Sequence, residues 1–177
     1  MCGIAGIYDL DKTMSRDALG NVLKTMTDAI AHRGPDAGGY WQDTEVPLAL
    51  GHRRLSIIDL SADGAQPMAS PNGRYEIVFN GEIYNFQSLR KDLEAEGSTF
   101  KGRSDTEVML AAFEVWGVNR ALQRLNGMFA FALWDREKRQ LHLVRDRLGK
   151  KPLYIGWAGK NFVFASELKA FRAHPGF

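Results

Sequence analysis

At 177 residues, 45% of them hydrophobic and 11% aromatic, the chain is the size of one domain with a substantial core. Its 23 basic and 21 acidic residues leave a formal net charge of +2, which gives no global attraction to nucleic acid or to an anionic membrane. A single cysteine excludes an intrachain disulfide framework and fits a reducing cytosol; no apolar stretch approaches the ~20 residues that cross a bilayer, and the opening residues lack the basic leader of a secretion signal, so a cytoplasmic protein is expected.

Ile4, Ile7 and Tyr8 predict an opening strand. Leu19, Val22, Leu23, Met26 and Ile30 then recur at helical spacing behind a cap at Ser15, and Gly34-Pro35 closes that element. Residues 86 to 96, with Leu89 and Leu93, read as a second helix stopped by Gly97. Ser104 and Glu107 form a capping box for a third, which turns Val108, Met109, Ala112, Phe113 and Trp116 inward before Gly117. The runs Leu48 to Leu50, Tyr75 to Phe79, Met128 to Trp134, Leu141 to Val144, Leu153 to Trp157 and Phe162 to Ala165 are strand-like. Met128 to Trp134 is apolar on both faces and is expected at the centre of a sheet covered on both sides. Short polar connections such as Asp135 to Gln140 and Ala158 to Asn161 can close hairpins but cannot hold crossover helices, so the pairing is antiparallel.

The lone cysteine lies at position 2, within Met1-Cys2-Gly3-Ile4-Ala5-Gly6-Ile7. Removal of Met1 would place a thiol and a free α-amine on one residue, and an amine of pKa about 7.7–8.0 is a usable general base near neutral pH beside a thiol nucleophile. The alternative is a small buried hydrophobe or a frayed terminal residue. Asn80-Gly81 between apolar runs is the strongest short-range signal of a hairpin turn and as a turn needs no function; the functional reading is an oxyanion hole made by the Asn80 amide and the Gly81 N–H. Arg54 could clamp a carboxylate with its planar fork, whereas Arg53 reads equally as a solvated surface charge. Asp105 opens a capped helix, where acids complement the dipole, and the sharper reading joins it with Glu82 as two anions for a substrate ammonium. His32-Arg33-Gly34-Pro35-Asp36 is either a loop's own hydrogen-bonding set or a lid over a pocket. The basic cluster from Arg145 to Lys151 is interrupted by Asp146 and Leu148, which argues against a nucleic-acid surface. A thiol-amine, an amide-bearing glycine, one fork-shaped cation and two carboxylates together suit glutamine.

These residues resemble the glutaminase domain of class II glutamine amidotransferases, which are N-terminal-nucleophile hydrolases, and within them the asparagine synthetase branch. The resemblance runs in order through Cys2-Gly3-Ile4-Ala5-Gly6, His32-Arg33-Gly34-Pro35-Asp36, Arg54-Leu55-Ser56-Ile57, Asn80-Gly81-Glu82-Ile83-Tyr84-Asn85 and Ser104-Asp105-Thr106-Glu107. It continues through Gly127-Met128-Phe129-Ala130-Phe131-Ala132, Arg145-Asp146-Arg147-Leu148-Gly149 and Ala165-Ser166-Glu167-Leu168-Lys169, so that residues 1–177 as a whole look like one glutaminase domain. It implies an α+β fold, a four-layer αββα sandwich of two antiparallel sheets. It also implies Cys2 as nucleophile with its own amine as base, and Asn80 and Gly81 as oxyanion donors. Arg54 would hold the glutamine carboxylate, the backbone of Ile57 and Ile58 would line the pocket, and Glu82 with Asp105 would hold the α-ammonium.

By the same resemblance, ammonia would pass to an ATP-dependent synthetase domain or partner subunit that amidates aspartate or another carboxylate. The chain ends at Phe177 without a Ser-Gly-Gly-x-Asp-Ser or Walker-type loop, so ATP and Mg are expected only with that absent domain; glutamine hydrolysis itself is expected to need no metal or cofactor. Leu168 to Phe177 reads as the start of a crossing toward a next domain. A homodimer is compatible with this reading. The alternatives are a non-catalytic, glutamine-binding regulatory module and an N-terminal-cysteine acylase acting on another amide.

Overall fold

A computed structural model describes residues 1–56 and 62–177. Among them, nine strands form two antiparallel sheets. The strands β1 (Gly3–Tyr8), β2 (Ala37–Gln42), β3 (Leu48–Arg54), β8 (Tyr154–Ala158) and β9 (Asn161–Ala165) make a five-stranded sheet in the order β2-β3-β1-β9-β8. The strands β4 (Met68–Ala69), β5 (Tyr75–Ile83), β6 (Gly127–Asp135) and β7 (Gln140–Arg145) make a four-stranded sheet in the order β4-β5-β6-β7. The helices are α1 (Arg16–Asp28), α2 (Phe86–Ala95), α3 (Asp105–Trp116), α4 (Val118–Arg124) and α5 (Leu168–Arg172).

Three apolar clusters show how these elements stack. Leu19, Leu23 and Met26 of α1 and Phe171 of α5 pack on Ile7, Ala49 and Val163 of the five-stranded sheet. Leu89 and Leu93 of α2 and Met109 and Phe113 of α3 pack on Ile77, Phe79, Phe131 and Leu133 of the four-stranded sheet. Between the sheets lie Ile4, Leu48, Leu50 and Phe164 on one side and Val78, Ala132 and Trp134 on the other. Helix, sheet, sheet, helix is the αββα order. Full burial of a side chain such as Phe131 or Trp134 contributes ~1.5–3 kcal/mol, and both are buried because β6 is interior to its sheet and covered on each face.

The local signals act through identifiable bonds. Ser15 caps α1 by accepting the Ala18 N–H at 3.2 Å. Ser104 caps α3 by accepting the Glu107 N–H at 3.2 Å. Only half of the expected capping box forms, because the Glu107 carboxylate instead accepts the N–H groups of Lys101 (2.7 Å) and Gly102 (3.0 Å) and ties down the preceding loop. Gly117 ends α3 at φ +76°, a conformation that L side chains rarely adopt. No helix among the described residues is long and apolar enough to cross a membrane.

Two expectations change. Asn80-Gly81 is not a turn: β5 runs unbroken to Ile83, with Asn80 opposite Ala130 and Gly81 opposite Phe129. Glycine is needed there for close approach, since a Cβ at Gly81 would lie 2.4 Å from the Met128 carbonyl oxygen. Arg53 is not a solvated charge; it reaches the helix layer, where it pairs with Asp28. Leu168–Arg172 forms α5, which buries Ala170 and Phe171 against the α1 layer.

Candidate active site

Side chains alternate along a strand, and this parity assembles the site. On β3, Leu48 and Leu50 face the gap between the sheets, so His52 and Arg54 share that face. On β5, Val78 faces the same gap, and Asn80 and Glu82 follow it in step. Cys2 keeps step with Ile4 immediately ahead of β1. The gap opens at this end into a cleft of about 160 Å³, lined by Cys2, Arg54, Asn80, Gly81, Glu82 and Asp105 together with Met1, His52 and Lys151. Every described residue that the sequence singled out for the site is therefore brought to one place. Ile57 and Ile58 lie outside the described residues.

The Cys2 sulfur accepts the Leu55 N–H at 3.4 Å, and the thiol is 3.6 Å from the Leu55 carbonyl oxygen to which it can donate. Its backbone is fixed independently: Arg33 Nε donates to the Cys2 carbonyl at 3.0 Å while Arg33 Nη1 donates to Glu167 at 2.9 Å, and His32 joins the same carboxylate at 3.2 Å. The segment from His32 to Asp36 is thus a hydrogen-bonding set behind the cysteine rather than a lid. Two residues after Cys2, the Ile4 N–H donates to Ser166 Oγ at 3.0 Å.

Asn80 is almost wholly buried, and its Nδ2 donor has no hydrogen-bond partner among the described residues. A buried donor left unmade costs ~1–3 kcal/mol, and of the four buried side-chain polar atoms without a partner among the described residues only Asn80 Nδ2 belongs to a residue that lines the cleft. The backbone on either side is held firmly. The Phe79 N–H donates to Gln66 Oε1 at 2.6 Å, and the Phe79 carbonyl meets His52 Nε2 at 3.1 Å. Burial pushes His52 down to about 4, so the ring is neutral at ordinary pH and its Nε2 donates to that carbonyl. Asp105, at the start of α3, accepts the Ile83 N–H at 2.9 Å and so fixes the end of β5 beside Glu82. Burial and the neighbouring Glu82 charge raise the Asp105 carboxyl above the usual range, against the pull of the backbone N–H groups it accepts. A bound ammonium would relieve that repulsion. Lys151 is also buried, and burial with the nearby Arg33 charge lowers its ammonium.

His52, Gln66, Lys151 and Ser166 received no role from the sequence, and Arg33 only a share in the loop from His32 to Asp36. Two of the five, Arg33 and Ser166, sit inside segments that carried the resemblance, but nothing in one dimension shows which residue touches which. Among the described residues, no group of three or more His, Cys, Asp or Glu side chains is placed to hold a metal ion.

A thiol at the head of a central strand, facing amide donors across a gap between two antiparallel sheets, defines an N-terminal-nucleophile hydrolase. The likeness extends to a solved structure of that class, the glutamine phosphoribosylpyrophosphate amidotransferase from B. subtilis complexed with ADP and GMP: TM-score 0.81 and 26% identity over 97% of this chain and 43% of that one. Residues 1–177 match the glutamine amidotransferase domain model, and the chain belongs to that family. Among curated proteins it is 42% identical over 177 residues to asparagine synthetase [glutamine-hydrolyzing] 3 of Bacillus subtilis, covering 99% of this chain and 28% of the relative. It is 43% identical over 173 residues to asparagine synthetase [glutamine-hydrolyzing] 1 of the same organism, covering 96% of this chain and 26% of that protein. The chain thus spans about a quarter of the length of these relatives.

Proposed function

We propose that Cys2 hydrolyses glutamine to glutamate and ammonia, and that the ammonia serves an ATP-dependent amidation of asparagine-synthetase type. Glutamine enters the cleft with its α-carboxylate on Arg54, its α-ammonium between Glu82 and Asp105, and the pocket wall completed by the backbone of Ile57 and Ile58. The free α-amine of Cys2, exposed by removal of Met1, takes the thiol proton as sulfur attacks the side-chain amide carbon. The oxyanion is met by the Asn80 Nδ2 and the Gly81 N–H. Collapse breaks the C–N bond, the amine gives its proton to the leaving ammonia, and a thioester remains; water then attacks under the same base and releases glutamate.

The observation that carries this reading is the buried, unpartnered Asn80 donor in the cleft that holds the Cys2 thiol. A substrate oxygen would supply the partner that the described residues do not. The cleft suits an amino acid with both ends charged. Its two carboxylates oppose a polyphosphate, so ATP and Mg belong with a synthetase domain or partner subunit, and hydrolysis at Cys2 proceeds without a cofactor. The acceptor is aspartate or another carboxylate, and the compartment is the cytoplasm. The test is direct: protein with Met1 removed, given glutamine, releases glutamate and ammonia in equal amounts, and Cys2→Ala abolishes release while the fold persists. Glutamine binding without turnover in the processed wild type would refute the hydrolytic reading.

A further inference from the structure

β4 covers only the start of β5: it is two residues long and pairs Met68 with Ile77 and Ala69 with Glu76. Past Ile77, the edge of β5 that faces away from β6 has no strand beside it among the described residues. Backbone groups alternate along a strand, so the N–H groups of Phe79, Gly81 and Ile83 all point to that edge. Two of them are bonded by side chains from outside the sheet: Gln66 Oε1 accepts the Phe79 N–H at 2.6 Å, and Asp105 accepts the Ile83 N–H at 2.9 Å. The Gly81 N–H lies midway between these tethers. Gln66 reaches further. Its Nε2 donates to Thr106 Oγ1 at 3.3 Å, on the residue next to Asp105, and its backbone packs on β2, where a Cβ at Gly39 would lie 1.9 Å from the Gln66 carbonyl oxygen. One amide side chain in the wall of the cleft thus joins the strand of Asn80 and Gly81 to the helix that begins with Asp105.

We infer that Gln66 is a positioning residue for the glutaminase reaction, holding the Asn80 and Gly81 donors and the Asp105 carboxylate at a fixed separation. The inference rests on the proposed roles of those three residues. Glutamine spans the same gap: its amide oxygen meets Asn80 and Gly81 while its ammonium meets Asp105, so the separation has to match the length of the substrate. Reacting groups must be held within ~0.5 Å of their working geometry, and a displacement of ~1 Å can cost about 10²-fold in rate. The chemistry of the side chain fits the task. Its oxygen takes the Phe79 N–H and its nitrogen the Thr106 oxygen, so both bonds are made by one neutral group. A carboxylate could make the same two bonds, with the Thr106 hydroxyl donating, but would add a negative charge to a cleft that already holds Glu82 and Asp105. The Phe79 carbonyl is held from the other sheet by His52 Nε2 at 3.1 Å, so the residue before Asn80 is fixed at both its N–H and its C=O.

The test compares Gln66→Met, which keeps the length of the side chain and loses both bonds, with Thr106→Val, which leaves the bond to Phe79 in place. In Met1-processed protein, kcat and KM for glutamine are measured together with the inhibition constant of L-glutamate and hydrogen exchange at the Phe79 amide by NMR. Thr106→Val should raise KM and the glutamate constant by about two- to tenfold, with kcat within about threefold of wild type. Gln66→Met should show the same rise and in addition lose about ten- to a hundredfold in kcat, with faster exchange at Phe79. A kcat within about threefold of wild type in Gln66→Met overturns the inference. So does an equal loss of kcat in the two variants, since breaking the bond to α3 alone should not reach the oxyanion donors. Failure of both Gln66→Met and Gln66→Leu to fold overturns it as well, because the amide would then serve the core. If the wild type leaves glutamine intact, the glutaminase reading fails by itself; faster Phe79 exchange with weakened glutamate binding in Gln66→Met then still supports the tether, and unchanged values refute it.

Discussion

Replacing Asn80 by alanine sets activity and stability against each other. The Nδ2 donor is buried and makes no bond among the described residues, so its removal takes none of their hydrogen bonds away. An oxyanion donor of this kind is worth ~2.7–4 kcal/mol in the transition state, or about 10²–10³ in kcat, while the ground-state carbonyl gains little from it. Asn80→Ala is therefore expected to lower kcat by about 10²–10³ with KM changed less than about threefold. The thermal midpoint should move by less than about 3 °C, the shift that ~1 kcal/mol produces in a chain of this size. Steady-state release of glutamate and a calorimetric melt on the same preparation check both halves. A kcat within tenfold of wild type would remove Asn80 from the oxyanion site. A large drop in melting temperature accompanying the lost rate would make its role structural.

Glu76 shares the inter-sheet face of β5 with Val78 and Asn80, and burial raises its carboxyl from 4.5 to about 7, with Arg136 pulling the other way. The folded state holds this proton more tightly than the unfolded chain. The stabilisation is thus full below about pH 4.5 and lost as pH rises through 7, by ~3 kcal/mol at 1.36 kcal/mol per unit. Urea unfolding at pH 5.5 and 8.5 should show the Glu76→Gln protein more stable than wild type at the higher pH only; equal pH dependence in the two proteins would count against the burial argument. Asp105→Asn retains an oxygen that can accept the Ile83 N–H but loses the charge facing the substrate ammonium, so KM for glutamine should rise about 10–100-fold with a smaller change in kcat. Because its carboxyl already lies above the usual range, glutamine affinity in the wild type should weaken on acidification before an ordinary aspartate would protonate. A KM that stays flat through mildly acidic pH would argue against Asp105 as an ammonium ligand.

The helices with capped starts and glycine ends were legible because cap, periodicity and stop agree within a dozen residues. The strands whose hydrophobic runs fill a sheet interior were legible for the same reason. β2 was not, since Ala37-Gly38-Gly39 has little strand preference and the strand lies at an edge with much of its surface exposed. α4 and α5 are seven and five residues long and bury too few side chains to leave a period. Asn80-Gly81 misleads because the two residues that favour a hairpin turn also suit a strand approached closely by its neighbour. The ligands of the cleft were nameable by their chemistry, but their convergence follows from strand parity across two sheets. His52 and Lys151 come from other segments, and their place beside Cys2 and Asn80 exists only once the sheets have stacked.

The strand that follows Cys2 is the middle one of its sheet, with β3 on one flank and β9 on the other. Ile4 and Ser166 exchange bonds across 162 positions of chain, the Ser166 N–H returning to the Ile4 carbonyl at 2.9 Å. During synthesis β3, which pairs with β1 up to Gly3, emerges early, yet β9 on the other flank emerges among the last of the described residues. Ribosome-bound intermediates can thus pair the cysteine's strand with β3 alone, and its second flank is completed only when the far end of the domain folds back onto its beginning.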